Sequence, residues 1–275
     1  MGKDVGGLAP LGTDARHEER QTRNDGAEAS QLGRRRGAHD EAGALAEAGC
    51  GDEPGHAPVE RLGREAAIPA GIPVIADAKR GDVETTVARH AVALFERLGV
   101  DAVTASPYLG LGALEPFLER DGRFTYILCR TSNAAAGELQ DLVVAADPER
   151  GFPAEPLHRR VARLVAAAGL GERAGLVVGA TAPAELAGLR AIVPGLAFLV
   201  PGVGAQGGEA ADVLAGGTAT ALPAGGRPGG GLLVNVSRGI AGAALGKPSA
   251  GRPEDPGERL AEAARAWADR LPVLG

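Results

Sequence analysis

Residues 72–82 read IPVIADAKRGD, a short apolar run that ends in Asp77, Lys79, Arg80 and Asp82. A buried strand cannot carry unpaired charges, because desolvating a lone carboxylate or ammonium is costly. The four charges therefore lie on a solvated loop, or they mark a strand end where chemistry is done. On an extended segment Asp77 and Lys79 point the same way and Arg80 points elsewhere. Asp82 follows at the start of the next helix, where a carboxylate also makes a good N-cap. One ion pair plus one cap is the ordinary reading. The other is a charge array in which neighbouring carboxylates hold Lys79 protonated and build a strong local field. That array suits a reaction that expels one anionic group and puts a proton in its place.

A second group has the chemistry of an anion clamp. In PGVGAQGG, residues 201–208, Gly202, Gly204, Gly207 and Gly208 let backbone N–H groups approach a ligand closely, and a helix is expected just beyond. Helix N-termini and nests of N–H groups favour a phosphate. Arg238, in the later stretch NVSRGI, adds a two-pronged cationic contact. A glycine-rich loop alone is a weak signal; paired with an arginine at the next strand end it favours phosphate binding.

The elements that must position these groups follow from periodicity. Short apolar runs recur at 72–77, 101–106, 124–130, 175–181, 197–204 and 231–237, each bounded by Gly, Pro, Asp or Ser. Near-continuous apolarity marks strands covered on both faces. Helical patterns lie between them. Val83, Val87, Ala91, Leu94 and Leu98 form one stripe that stops at Gly99, and similar stripes follow in 156–171, 183–193 and 257–271. Alternating β and α units mean a parallel sheet with helical crossovers. An open doubly wound sheet and an eight-stranded barrel both fit that alternation. Polar groups collect at the C-terminal ends of the strands: Asp77 and Lys79, Ser106, the Arg130–Thr131–Ser132 run, Thr181, the glycine loop and Arg238. Barrels build their sites from those ends and bind phosphate after the seventh and eighth strands, so a (β/α)8 TIM-type barrel is expected.

Composition narrows the class. The chain has 275 residues and a formal net charge of -6, which argues against a general nucleic-acid binder. Its two cysteines, Cys50 and Cys129, offer no disulfide framework and suit a reducing cytoplasm. No apolar run approaches the ~18 residues that span a bilayer, and the N-terminus lacks the apolar segment of a signal peptide. A soluble, cytoplasmic protein without membrane or nucleic-acid partners is expected.

Residues 1–66 differ from 67–275. They hold no Phe, Tyr or Trp and only seven Val, Ile or Leu, while charges are dense and mixed. Too little apolar surface is available to offset the entropy of ordering, so disorder is expected. His17, His39, His56 and Cys50 fall here without the spacing of a tetrahedral metal site. The expected organisation is an atypical, disordered segment over 1–66 and a barrel domain over 67–275.

DAKRGD resembles the Asp-x-Lys-x-x-Asp signature of the orotidine 5'-phosphate decarboxylase family. DAVTASPYLG, LCRTSN, GLVVGAT, FLVPGVGAQGG and VNVSRGI are similar to that family's second, actinobacterial-style branch, in order over residues 70–246. The resemblance implies a homodimeric (β/α)8 barrel that converts orotidine 5'-phosphate to uridine 5'-phosphate and CO2 in pyrimidine biosynthesis, without metal or organic cofactor. Carried over by position, Lys79 is the ammonium that protonates C6, and Asp77 sits beside the departing carboxylate. Asp82 and Thr86 reach into the partner's site near the ribose. Ser132 hydrogen-bonds the pyrimidine, and Gln206 and Arg238 hold the phosphate. Cys129 reads as a small core residue rather than a nucleophile.

The departures are specific. The family places an Asp after its first strand and a second array Lys after its second. Here the lysines are Lys3, Lys79 and Lys247, none of which suits that second position. No β/α pattern precedes residue 70, and Glu84 stands where the family usually has a small residue. The first two units are thus expected to be missing, or replaced by a non-homologous segment such as an out-of-frame reading of a GC-rich gene would give, and activity to be impaired. Translating the same DNA in its other frames tests that. A non-catalytic nucleotide-phosphate-binding barrel is the alternative. A Mg²⁺-dependent enzyme acting on sugar phosphates is disfavoured, because ASPYLG offers no acidic ligands.

Overall fold

The computed structural model describes residues 71–221, 231–245 and 253–271. The N-terminal segment lies outside those residues, as does all but Gly231 of the Gly/Pro-rich stretch 223–231, which the sequence leaves open between a phosphate-side lid and a tolerated insertion.

Six parallel strands form one sheet: β1 (Ile75–Arg80), β2 (Ala102–Ala105), β3 (Phe124–Arg130), and, after a small hairpin of β4 (Val143–Val144) and β5 (Glu155–Pro156), β6 (Ala174–Val178), β7 (Phe198–Val200) and β8 (Leu232–Val234). Its strand order is β1-β2-β3-β6-β7-β8. Each strand therefore adds on the same side of the one before it. A doubly wound sheet reverses direction at a switch point and a barrel never does. The sequential order is that of a barrel wall, here with β1 and β8 as its two edges among the described residues.

The crossovers are α1 (Glu84–Ala91), continued by a π-helical stretch Val92–Arg97; α2 (Glu115–Leu118); α3 (Gly137–Gln140); α4 (Leu157–Ala167); α5 (Pro183–Ile192); α6 (Ala210–Gly217); and α7 (Arg238–Leu245). A last helix, α8 (Pro256–Arg270), packs on α7 and starts at Asp255, whose carboxylate accepts from Glu258 N at 2.9 Å. Among the described residues no helix is long and apolar enough to cross a membrane.

Alternation along the strands builds two apolar layers. Val103, Ile127, Leu176 and Phe198 face the helices and join Val87, Phe117, Val165 and Leu186 in the main core. Full burial of each large side chain there stabilises by about 1.5–3 kcal/mol. On the other face Ala102, Tyr126, Val177 and Leu199 make a smaller inner cluster with Ile75, Phe124 and Leu128. Leu233, in register with Leu199, continues that layer but remains 44% exposed because β8 is an edge. Cys129 is buried in the main core, and burial pushes its thiol pKa well up, as suits an inert core residue.

Two local features depart from the sequence pattern. The π-helical stretch inserts a longer turn, with Leu98 N donating to Ala93 O at 2.9 Å, so that Phe95 is buried while Leu94 and Leu98 are only partly covered. The β4–β5 hairpin, over the apolar run 142–146 and the turn residues Asp147, Pro148 and Gly151, is absent from the strands expected of the sequence. It is held by Glu155, a buried carboxylate bonded to Arg160 at 3.1 Å and Arg163 at 2.8 Å.

Candidate functional site

β1 ends irregularly. Its register to β2 breaks between Ala76 and Arg80, and inside the break Lys79 has φ 49°, the one positive φ at a non-glycine among the described residues. A lysine in that region costs energy and persists only where its surroundings hold it. Here a hydroxyl holds it. Thr104, fully buried on β2, accepts from Lys79 N at 2.9 Å and donates to Asp77 Oδ1 at 2.8 Å. The twist brings Lys79 Nζ to 2.5 Å from Asp77 Oδ2, so the two side chains point the same way, as expected of alternate residues. Both are more than half exposed, so the pair contributes little to stability.

The loop after β7 forms the other end. Gly202, Gly204 and Gly207 have φ of 99°, 77° and 95°, and Gly207 N and Gly208 N fold back onto Gly204 O and Gly202 O. A methyl group on Gly202 would lie 2.8 Å from Ser132 Cβ and 2.9 Å from Gln206 Oε1, so glycine is what lets the loop close over both. Arg238 opens α7 and makes no ion pair with any described residue, leaving an exposed guanidinium at the helix N-terminus.

Between these ends runs the segment after β3. Gln140 Oε1 accepts from Thr131 N at 2.8 Å, and Arg130 grips Asp141 through two bonds of 2.8 and 3.0 Å. The Arg130 hydrogen bond holds the Asp141 carboxyl below its usual pKa. Behind it, His158 is buried with Nδ1 at 2.9 Å from Gln140 O and Nε2 at 3.0 Å from Glu185.

The three segments meet at one cavity of about 580 Å³ at the C-terminal ends of the strands, with Thr131 and Gln140 in its wall and Thr104, Arg130, Asp141 and His158 outside it. Ile75, Leu128, Val177 and Leu199 supply its apolar walls, and Asp77, Lys79, Ser132, Gln206 and Arg238 lie around it. Lys79 and Arg238 come from opposite edges of the sheet yet face the same space, so one ligand with a reactive end and an anionic end can bridge them.

Asp82 and Thr86 are not among the residues lining that cavity. Asp82 is exposed on the turn into α1, and Thr86 is partly buried one turn later. The helix cap expected of Asp82 does not form. Val83 is the N-cap residue, and the Asp82 carboxylate accepts instead from Val83 N at 2.7 Å, too early in the chain to reach the first helical N–H groups. Glu84 is the first residue of α1, where a carboxylate complements the helix dipole. Sequence reasoning missed Thr104, Gln140 and Asn235, the last two also lining the cavity. Thr104 sits on the inward alternation of β2, but its importance depends on the β1–β2 register, which no local pattern reveals.

Comparison with known proteins agrees with this geometry. The family described as orotidine 5'-phosphate decarboxylase / HUMPS matches residues 42–252. The chain belongs to that family. The match begins inside the N-terminal segment that the sequence pattern sets apart. An orotidine 5'-phosphate decarboxylase of Herpetosiphon aurantiacus is 49% identical over 151 residues, which are 54% of this chain and 54% of that protein. One from Variovorax paradoxus is 41% identical over 203 residues, covering 73% of this chain and 67% of the relative. The chain thus spans only about half the length of some curated relatives it matches. The solved Leishmania donovani OMP decarboxylase superposes with a TM-score of 0.59 at 34% identity, over 77% of this chain and 73% of that one. The sequential parallel wall is therefore the corresponding part of a family barrel, as the sequence led us to expect.

Proposed function

We propose that this chain decarboxylates orotidine 5'-phosphate to uridine 5'-phosphate. One observation carries the reading: the Lys79–Asp77 pair and Arg238 face a single cavity from opposite edges of the sheet. Arg238, Gln206 and the glycine loop take the phosphate, Ser132 takes the pyrimidine, and the apolar walls take the faces of the ring.

The chemistry follows from that placement. The C6–carboxylate bond breaks with its electron pair left on C6, and CO2 departs. Lys79 then gives a proton from its ammonium to C6 and is reprotonated from solvent. Charge on C6 is poorly delocalised, so a fixed ammonium at that point lowers the barrier more than it stabilises the bound substrate. Asp77 makes the position unfavourable for the substrate carboxylate and favourable for its loss. Binding energy gained at the phosphate holds the carboxylate in that field.

In our reading the working unit is a cytoplasmic homodimer, in which Asp82 and Thr86 of one chain reach the partner's ribose. This assignment is consistent with their position outside their own cavity. The second array lysine of the family has no counterpart in the described residues, and turnover is lowered accordingly. Residues 1–66 are proposed to add no barrel units.

The test is loss of orotidylate absorbance with the purified chain, run beside uridine 5'-phosphate binding by calorimetry. The wild type turns over slowly and binds product. Lys79→Ala cuts turnover by about 10²–10⁴-fold, the usual worth of a positioned general acid, and keeps product binding. Turnover unchanged by Lys79→Ala sinks the proposal.

A further inference from the structure

Trp267 is the chain's single tryptophan and belongs to α8, an element that contributes no residue to the cavity wall. Its indole nonetheless touches both segments that make the anionic end. A methyl group on Gly204, in the loop after β7, would lie 2.9 Å from Cη2 and 3.0 Å from Cζ2. One on Gly239, next to Arg238 in the first turn of α7, would lie 2.7 Å from Nε1 and 3.0 Å from Cε2. These four atoms run along one edge of the ring. The two chain segments leave neighbouring strands, and beyond the last β7–β8 pairing both rest on the same rigid edge, each through a glycine that lets it come close. The Arg270 guanidinium stacks over the ring at 4.1 Å from its centroid and fixes its plane.

We propose that Trp267 is a positioning residue for a phosphomonoester ligand. Its edge sets the gap between the Gly202–Gly208 loop and the start of α7, and hence the separation between Gln206, which the loop presents to the cavity, and the Arg238 guanidinium. The proposal rests on reading this end of the cavity as the anion site, and it does not depend on decarboxylation. A rigid aromatic plate suits the task, because it has two side-chain torsions to order and a flat edge that side-chain motion does not blur.

The test uses the full chain with uridine 5'-phosphate, inorganic phosphate and uridine as probes. Emission from the single tryptophan shifts with uridine 5'-phosphate and with phosphate, and stays constant with uridine. Trp267→Phe, which shortens the edge, weakens uridine 5'-phosphate binding about tenfold through misplacement of the clamp. Gly239→Ala, which pushes a methyl group into the ring, weakens it similarly. The double variant Gly239→Ala/Trp267→Phe binds better than Gly239→Ala alone, a coupling that general loss of stability does not produce. If the wild type binds uridine 5'-phosphate and Trp267→Phe binds equally well, the brace is refuted and the site stands. If the wild type binds neither uridine 5'-phosphate nor phosphate, the site reading fails and takes the brace with it.

Discussion

The two ends of the cavity are built in different ways. At the reactive end, Asp77 and Lys79 sit on an edge strand, mostly exposed, and are held by one threonine hydroxyl. At the anionic end the ligand-facing groups are backed by closely packed structure: Val203 of the glycine loop is buried in the main core, with Val236 and Trp267 packed against it. Arg190, 3% exposed, donates to Gly217 O, Val193 O, Leu196 O and Gly231 O and stacks 3.7 Å from the Phe198 ring centroid. It ties the C-terminal ends of α5 and α6 to the residues that lead into β7 and β8, and so braces those two strands from the end opposite the cavity. Arg259 ties the last turn of α7 to the segment that leads into α8, donating to Ala243 O and Ala244 O on one side and Pro253 O and Glu254 O on the other. The lesson is that binding and chemistry are mounted on supports of unequal stiffness. The phosphate end is anchored by the main core, and the ammonium end by a single polar contact in a broken register.

The strands that carry the anionic end can be loosened first, from their far side. Arg190→Met leaves several buried carbonyls without a donor, at about 1–3 kcal/mol each before relaxation. Burial already pushes the Arg190 pKa down to about 10, so the guanidinium stays charged at neutral pH and its bonds are all made. Thermal denaturation should show a melting temperature lowered by about 10 °C, the shift that roughly 3 kcal/mol produces in a chain of this size. A drop of only a degree or two would mean that the anchor is ornamental.

Removing the clamp while leaving its support intact comes next. Arg238→Ala should weaken uridine 5'-phosphate binding about 30-fold, the loss of one or two charge-assisted hydrogen bonds, with an unchanged melting curve. Equal affinity by calorimetry would move the phosphate elsewhere.

The softer end gives smaller numbers that separate binding from rate. Thr104→Val keeps shape and removes both bonds to the pair. It should lower turnover about tenfold, in line with about 1 kcal/mol or slightly more for the lost hydroxyl, and leave product affinity unchanged. Thr104→Ser should restore most of the rate. If Thr104→Val instead lost product affinity in parallel with rate, the two ends would not be independent.

The smallest effect is on pH dependence. The Arg130 hydrogen bond lowers the Asp141 pKa in the folded state. The stability it brings is therefore present above the ordinary carboxylate pKa and is lost as pH falls through the lower, folded value. Urea melts of the wild type should lose stability across that acidic window, and Asp141→Asn should lose less there.

Much of the wall was legible because parallel strands covered on both faces are apolar without interruption. The runs at 101–106 and 124–130 became β2 and β3 within a residue of their bounds, and the run at 175–181 became β6, which ends three residues early. The cavity's charged members were legible because a charge directly after such a run has few places to go: Asp77, Lys79 and Arg238 all emerged where expected. What stayed hidden depends on contacts between distant segments. Thr104 matters only once β1 and β2 are in register, and Trp267 only once α8 is docked. The β4–β5 hairpin is held by a carboxylate and two arginines that look like surface charges in the sequence. The π-helical turn in 92–97 changes which apolar residue is buried without changing the composition of the stripe.

The left-handed backbone at Lys79 has a consequence for how this sequence can vary. Glycine adopts that conformation without penalty, whereas any other side chain pays of order 1 kcal/mol. Lys79→Gly should therefore melt above Lys79→Ala, although both lack the ammonium and lose turnover alike. On folding alone glycine would serve this position better, so the lysine ammonium is placed there at the expense of backbone stability.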